Sequence, residues 1–345
     1  MSNRLLMNQT SAVEQEPSSL TTDHWQLTTD VTVCIANWNC RELLRRCLAS
    51  LLRSPQGVNV EVIVVDNASS DGAAAMTARE FPEVRLIRNE RNLGFSRANN
   101  QAARIAQGRY LFFLNNDTVV PPETLDRLLS YLEANPDVSL VGPLLRDGRG
   151  KVQMSHRQRP TVGAWLHRTR LLRWTGLFRR AHRRYRRQRL EGGKDHEVEV
   201  LLGAAMFMRR NCFHAMGGWD EDFHFGGEDL EFCLRAARHG KVMYVPDVEI
   251  THLGRVSTKQ HIAFACTKIH VGFAQYLRKS GCGFWGLFLY KLAITLDTPL
   301  QLFVKGTQYL LRRWLGQQRQ AEESLNVLRG LWPFMLRGLG PFGKA

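Results

Sequence analysis

The segment Tyr110-Leu-Phe-Phe-Leu-Asn-Asn-Asp117-Thr118 constrains this chain more than any other. Its aromatic-rich apolar run reads as a strand buried on both faces. The run stops abruptly at two amides, Asn115 and Asn116, and at the carboxylate of Asp117, groups that an apolar core does not accommodate. Polar groups at the carboxyl end of a buried strand mark the place where open α/β sheets bind their ligands. A carboxylate there can hold a hard divalent cation, Mg2+ or Mn2+, and share it with a bound diphosphate. The plainer alternative is a strand-to-helix turn, with Asp117 or Thr118 capping a helix that starts after Pro121-Pro122.

Strand and helix patterns alternate around this segment. Residues 1–29 are polar and aperiodic and read as a flexible leader. Apolar runs at Val31–Ala36, Val60–Val65, Val84–Ile87 and Val138–Val141 predict further strands. Leu43, Leu44, Cys47, Leu48, Leu51 and Leu52 recur at helical spacing. The segment Asn92-Leu-Gly94-Phe95-Ser96-Arg97 opens another helix, with Ser96 as the expected cap. The βαβ spacing predicts an α/β fold with a doubly wound, mostly parallel sheet. Three strands end in polar clusters, at Asn37, Asp66 and Asp117, and right-handed crossovers bring those ends to one rim. No GxGxxG follows the first strand and no GxxxxGK[ST] occurs, so the dinucleotide fingerprint and the P-loop are both unsupported.

The formal charge of +15 is unevenly placed: twelve arginines and no acid lie between Arg157 and Arg189. Trp165, Leu166, Leu171, Leu172, Trp174, Leu177 and Phe178 are interleaved with them across an insertion at about 155–193. That mixture suits a helix in a membrane interface with arginines at anionic headgroups. A solvated basic insertion and a nucleic-acid surface are the alternatives. No nucleic-acid module accompanies the arginines, so nucleic acid is not an expected partner. The run Gly217-Gly-Trp219-Asp220-Glu-Asp222 leads to Gly226-Gly227-Glu228-Asp229, which opens a helix. Both acids fall in its first turn, where the helix dipole favours them, and the two glycines allow close approach to the backbone. His252 follows the apolar strands Val242–Val245 and Val248–Thr251, as a metal ligand or a loop residue. Beyond 259 the chain is helical and aromatic, but Lys291 and Asp297 interrupt it, so amphipathic or packed helices are expected, not a membrane span. Seven scattered cysteines without a CxxC pair point to free thiols in a reducing cytosol.

Taken in order, strand-Asn37-Trp-Asn39, Asp66-Asn-Ala-Ser-Ser-Asp71, Asn92-Leu-Gly94-Phe-Ser-Arg97, Asn115-Asn116-Asp117, Gly-Gly-Trp219-Asp220, Glu228-Asp229 and His252 resemble the family-two inverting glycosyltransferases. Within them the chain is most similar to the bacterial rhamnosyltransferase-like branch, over residues 31–258. The resemblance implies a glycosyltransferase A-type, Rossmann-like catalytic domain at 30–258; the helical region at 259–345 falls outside it and is expected to pack on the sheet or associate with membrane. It implies a nucleotide-diphosphate sugar donor, dTDP-rhamnose-like, and a divalent cation, Mg2+ or Mn2+. Asp66 would hydrogen-bond the base, with Asn37, Asn39, Asn115 and Asn116 at the nucleotide and Gly94 and Arg97 near ribose and diphosphate. Asp117 would hold the metal with His252, as the single acid left of a DxD-like motif. Asp229 would be the catalytic base, with Glu228 competing for that role, while Trp219, Asp220 and Asp222 would line the acceptor side. The acceptor would be a saccharide or a polyprenyl-diphosphate-linked sugar for cell-surface polysaccharide, and the enzyme would rest on the cytoplasmic face of the cell membrane. The competing reading is an inactive transferase scaffold that binds anionic membrane or nucleic acid through its arginines.

Overall fold

The computed structural model describes residues 29–52, 57–186, 193–254 and 262–345, so the leader up to residue 28 lies outside the described residues. Eleven strands are described: β1 (Val31–Asn37), β2 (Val60–Asp66), β3 (Arg85–Arg88), β4 (Tyr110–Leu114), β5 (Thr118–Val119), β6 (Val138–Arg146), β7 (His156–Arg157), β8 (His196–Glu197), β9 (Val200–Leu201), β10 (Ala205–Arg209) and β11 (Lys241–His252). The helices through the catalytic half are α1 (Arg41–Leu52), α2 (Ala73–Glu80), α3 (Phe95–Ile105), α4 (Thr124–Ala134), α5 (Val162–Leu166), α6 (Arg170–Arg173), α7 (Arg179–Tyr185), α8 (Arg210–Ala215) and α9 (Glu228–Ala236). After it come α10 (Ile262–Lys279), α11 (Gly283–Trp314), α12 (Gln318–Pro333) and α13 (Leu339–Lys344).

The main sheet runs β3-β2-β1-β4-β10-β6-β11-β5, with β8 beside β11. Strands β3, β2, β1 and β4 are mutually parallel, and β6 is parallel to β11. The apolar run Ala205-Met-Phe-Met enters between β4 and β6 and is antiparallel to both. An apolar run shows that a strand is buried but not which way it points. The two stretches at 242–245 and 248–252 form one strand, β11, whose register against β6 shifts between Val245 and Glu249. Pro246 lies in that interval and has no N–H for the ladder.

Alternation along each strand sorts the core into two layers. Val33, Ile35, Val64 and Phe112 face one side with Leu44, Leu48 and Leu128 of α1 and α4. Cys34, Ile63, Phe113 and Met206 face the other with Ala98 and Ala102 of α3 and Phe232 of α9. Complete burial of each such aromatic or branched side chain stabilises by about 1.5–3 kcal/mol.

The basic insertion divides in two. Trp165 and Leu166, expected at a membrane interface, are buried, and Trp165 stacks on Phe273 of α10 at 4.5 Å between centroids. Trp174 and Leu177 are instead 94% and 71% exposed. Helix α11 also departs from expectation: its 32 residues are long and apolar enough to cross a membrane by length and composition. Asp297, which breaks the apolar run in sequence, is buried, and its Oδ1 accepts the backbone N–H groups of Arg170 and Leu171 at 2.7 and 3.1 Å. That carboxylate satisfies the open N-terminus of α6 and does not face lipid. All seven cysteines are free thiols.

Candidate active site

The carboxyl ends of β2, β1 and β4 lie side by side and carry one continuous polar network. Asn37 is in register with Asp66 and donates from Nδ2 to Asp66 Oδ1 at 3.0 Å. Asn116 donates in turn to Asn37 Oδ1 at 2.6 Å, and the Ser69 N–H donates to Asp66 Oδ2 at 3.0 Å. Asn39 takes a left-handed backbone (φ 51°) and accepts the Ser70 N–H on Oδ1 at 2.8 Å. Asn37, Asp66, Asn116 and Asp117 are all buried, so each polar group must find a partner within the rim. Both oxygens of Asp66 already accept hydrogen bonds from the chain itself.

Three strands away in the sheet, β11 delivers His252 to the same rim by pairing with β5, where His252 is opposite Thr118. His252 Nε2 lies 3.3 Å from Asp117 Oδ1 and 3.4 Å from Asn115 Nδ2. The tautomer follows from Gln153. Its Nε2 donates to the His252 carbonyl at 2.6 Å, which turns Oε1 toward His252 Nδ1 at 2.9 Å. An amide oxygen only accepts, so Nδ1 carries a proton, and Nε2 is the ring atom turned toward Asp117. A carboxylate oxygen and an imidazole nitrogen so close together make a two-ligand set for a divalent cation. Among the described residues no three His, Cys, Asp or Glu side chains gather at one point, so phosphate oxygens and water would complete such a shell.

Asp229 enters at the second position of α9. Its Oδ1 accepts the Leu230 N–H at 2.9 Å, and its Oδ2 accepts from Arg157 at 2.6 Å. Both partners are largely shielded, with 11% and 16% of their side-chain area exposed. For Glu228, burial and then the adjacent Asp229 charge push the carboxyl up to about 7. Its Oε2 is out of solvent and has no donor. Gly203 and Ala204, the connection into β10, neighbour Asp229 and Asn115 respectively. The Ala204 carbonyl accepts the Asn115 N–H at 2.9 Å, and a Cβ at Gly203 would lie 3.4 Å from Asp229 Cβ. A hollow of about 720 Å³, lined by Pro121, Arg127, Arg146 and Glu249 among others, includes none of these residues.

Other expected site residues have different surroundings. Trp219 is a core residue, 2% exposed, stacked on Phe232 at 3.9 Å and edge-on to Phe95 and Phe113, so it offers no face to an acceptor. Asp220 and Asp222 both bind Lys279 at the end of α10, which ties their loop to that helix. The Gly226-Gly227 backbone meets α10, not open space: a Cβ on Gly227 would lie 2.9 Å from the Gly272 carbonyl oxygen. Gly94 (φ 89°) is required where its loop crosses His224, whose carbonyl oxygen would be 2.6 Å from a Cβ there. His224 is held neutral, down to about 4, by burial and by Lys268 and Arg97. Ser96 does not cap α3; Gly94 occupies that position and the buried Ser96 hydroxyl has no partner. Arg97 is half exposed and pairs with Glu221 at 3.5 Å. Sequence reasoning missed Gln153, Arg157 and Lys279, because each acts on a residue more than fifty positions away.

Comparisons with known proteins bear on the family and the fold. The family model described as "Glycosyl transferase family 2" matches residues 32–214, just over half of the chain. The chain is 29% identical over 263 residues to the N-acetylglucosaminyl-diphospho-decaprenol L-rhamnosyltransferase of Mycobacterium tuberculosis, covering 70% of this chain and 82% of that protein. It is 38% identical over 106 residues to the succinoglycan biosynthesis protein ExoO of Rhizobium meliloti, covering 30% of each. Among solved structures, GalNAc-T7 with UDP, GalNAc and Mn2+ superimposes with a TM-score of 0.52 at 17% identity, over 71% of this chain and 47% of that one.

Proposed function

The chain belongs to glycosyl transferase family 2 and has the glycosyltransferase A-type fold, and on that premise we propose that it transfers a sugar, with inversion, from a nucleoside-diphosphate donor to a saccharide or polyprenyl-diphosphate-linked acceptor. The donor is rhamnose-bearing in this reading, supported by the rhamnosyltransferase relative. The observation that carries the reading is the polar rim at the carboxyl ends of β1, β2 and β4, where Asn116, Asn37 and Asp66 are hydrogen-bonded in series and His252 Nε2 lies 3.3 Å from Asp117 Oδ1.

Asn37, Asn116 and Asp66 form the polar floor for the nucleotide. Asp117 and His252 would hold a divalent cation, which supplies Lewis-acid neutralisation of charge on the departing diphosphate. The Asp229 carboxylate takes the proton from the acceptor hydroxyl as that oxygen forms its bond to the anomeric carbon. The bond from that carbon to the diphosphate oxygen breaks on the opposite face, and the nucleoside diphosphate leaves with the electron pair. Glu228, held protonated up to about pH 7, serves as a neighbour that keeps a single negative charge in the pair.

Trp174 and Leu177 at the insertion tip and Trp285 on α11 expose apolar surface close to a basic segment. That combination supports placement on the cytoplasmic face of an anionic membrane, where a lipid-linked acceptor resides. Thermal shift with a panel of nucleotide sugars, with and without Mg2+ or Mn2+, tests the donor. A cognate donor at 100 times its dissociation constant adds about 2.7 kcal/mol. NMR of the product gives the anomeric configuration; a retained configuration, or no metal-dependent shift with any nucleotide sugar, overturns the reading.

A further inference from the structure

We propose that Arg157 and Arg159 are the seat for a phosphate group of the acceptor, and that Arg157 restrains Asp229 until that phosphate arrives. The inference rests on the transferase reading above and names the acceptor's chemical class, a phosphodiester-linked or diphosphate-linked lipid sugar.

Arg157 ends β7, which pairs with β9 opposite Val200, and Arg159 follows two residues later with its backbone N–H on Glu199 Oε2. The Nε atoms of both arginines are buried and have no hydrogen-bond acceptor. A buried donor without an acceptor is costly, and guanidinium forks match phosphate oxygens in geometry and charge. Arg157 and Arg159, two residues apart in the chain, each present such a donor.

The same Arg157 engages the catalytic acid. With Leu230 N–H on Oδ1 and Arg157 on Oδ2, both oxygens of Asp229 already accept hydrogen bonds. Each oxygen keeps a second lone pair, but taking the acceptor's proton turns the carboxylate into a neutral acid and so dissolves its ion pair with Arg157. The Leu230 amide is fixed in the first turn of α9, whereas the Arg157 side chain can turn to a better anion. A phosphate beside Arg159 is such an anion. From Arg159 the chain runs through α5 and α6 to the exposed Trp174 and Leu177, so the phosphate seat lies at the root of the segment that carries exposed apolar residues. A lipid tail at that surface would present its headgroup phosphate toward the arginines.

A diphosphate could come from the acceptor or from the nucleotide donor, and titration calorimetry on the full chain separates them. The probes are geranyl diphosphate, geraniol, and dTDP with Mn2+. Geranyl diphosphate is expected to bind the wild type, with geraniol far weaker. Arg157→Gln and Arg159→Gln each lower its affinity about tenfold, Arg157→Lys lowers it less, and dTDP–Mn2+ binding is unchanged. Asp229→Asn frees Arg157 and tightens geranyl diphosphate about threefold, which a purely structural ion pair would not do. Equal affinities across the variants, weaker binding in Asp229→Asn, or loss of dTDP–Mn2+ in place of geranyl diphosphate overturns the proposal. Should Arg157→Gln not fold, the Asp229→Asn arm decides alone. A wild type that binds geranyl diphosphate but no nucleotide keeps the phosphate seat and loses the transferase reading; the converse loses only the seat.

Discussion

Gln153 grips His252 at two points, donating to its carbonyl oxygen at 2.6 Å and accepting from its Nδ1 at 2.9 Å. One amide thereby fixes the backbone, the ring orientation and the tautomer of the residue that faces Asp117. Replacing it by leucine keeps the volume but frees the ring, and partners of this kind contribute about 10- to 100-fold to metal affinity. Gln153→Leu is therefore expected to weaken Mn2+ binding in the presence of a nucleoside diphosphate by that factor, read by electron paramagnetic resonance of free Mn2+. Undiminished affinity would remove Gln153 from the site.

Asp117 and Asp229 are expected to fail in different ways. Asp117→Ala removes an oxygen ligand and abolishes the metal-dependent stabilisation by donor. Asp229→Asn leaves donor binding intact while lowering turnover by about 10²–10⁴, the usual contribution of a positioned base. Donor titration and initial rates on the same preparations separate these outcomes, and equal loss of both functions in both variants would contradict the division of labour.

Glu228 gives the fold a pH dependence of definite sign. Its carboxyl is raised from 4.5 to about 7, first by burial and then by Asp229. The folded state therefore binds a proton that the unfolded chain has released between those values. The stabilising contribution is complete below pH 4.5 and is lost as pH rises through 7, on the order of a few kcal/mol. Glu228→Gln keeps the neutral form at every pH. Thermal unfolding at pH 5 and pH 8 should show a smaller drop in the variant than in the wild type; an equal drop would mean that Glu228 ionises freely.

Trp219 should behave as a packing residue. Its ring is stacked between Phe232 and the edges of Phe95 and Phe113, and its backbone N–H donates to Asn100 Oδ1 at 2.9 Å. Trp219→Ala is expected to destabilise by about 3–5 kcal/mol through the cavity left behind. Chemical denaturation measures this directly. A stable variant with an altered acceptor KM would return Trp219 to the acceptor side.

The exposed aromatics at Trp174 and Trp285 supply the last prediction. Serine at both positions is expected to reduce sedimentation with phosphatidylglycerol vesicles about tenfold, as apolar burial in the interface is lost. Sedimentation unchanged by the double substitution, or equal on neutral vesicles, would sever the apolar surface and the arginines from membrane attachment.

Local pattern carried much of this protein. Continuous apolar runs marked β1, β2 and β4, helical spacing marked α1, and the abrupt ends at Asn37, Asp66 and Asp117 marked the rim, because burial and spacing are written residue by residue. What the chain could not reveal locally were partnerships made by closure of the fold. The direction of β10, the clamp of Gln153 on His252 across 99 residues, and the hold of Arg157 on Asp229 across 72 depend on which segments meet. Glycines at 226 and 227 read as room for a ligand, and Trp219 as part of the acceptor side, until α10 and α9 were in place against them. Sequence determined which residues are apolar, which are acidic and how they repeat; tertiary structure decided which of them face one another, because contact energy belongs to pairs and not to positions along a chain.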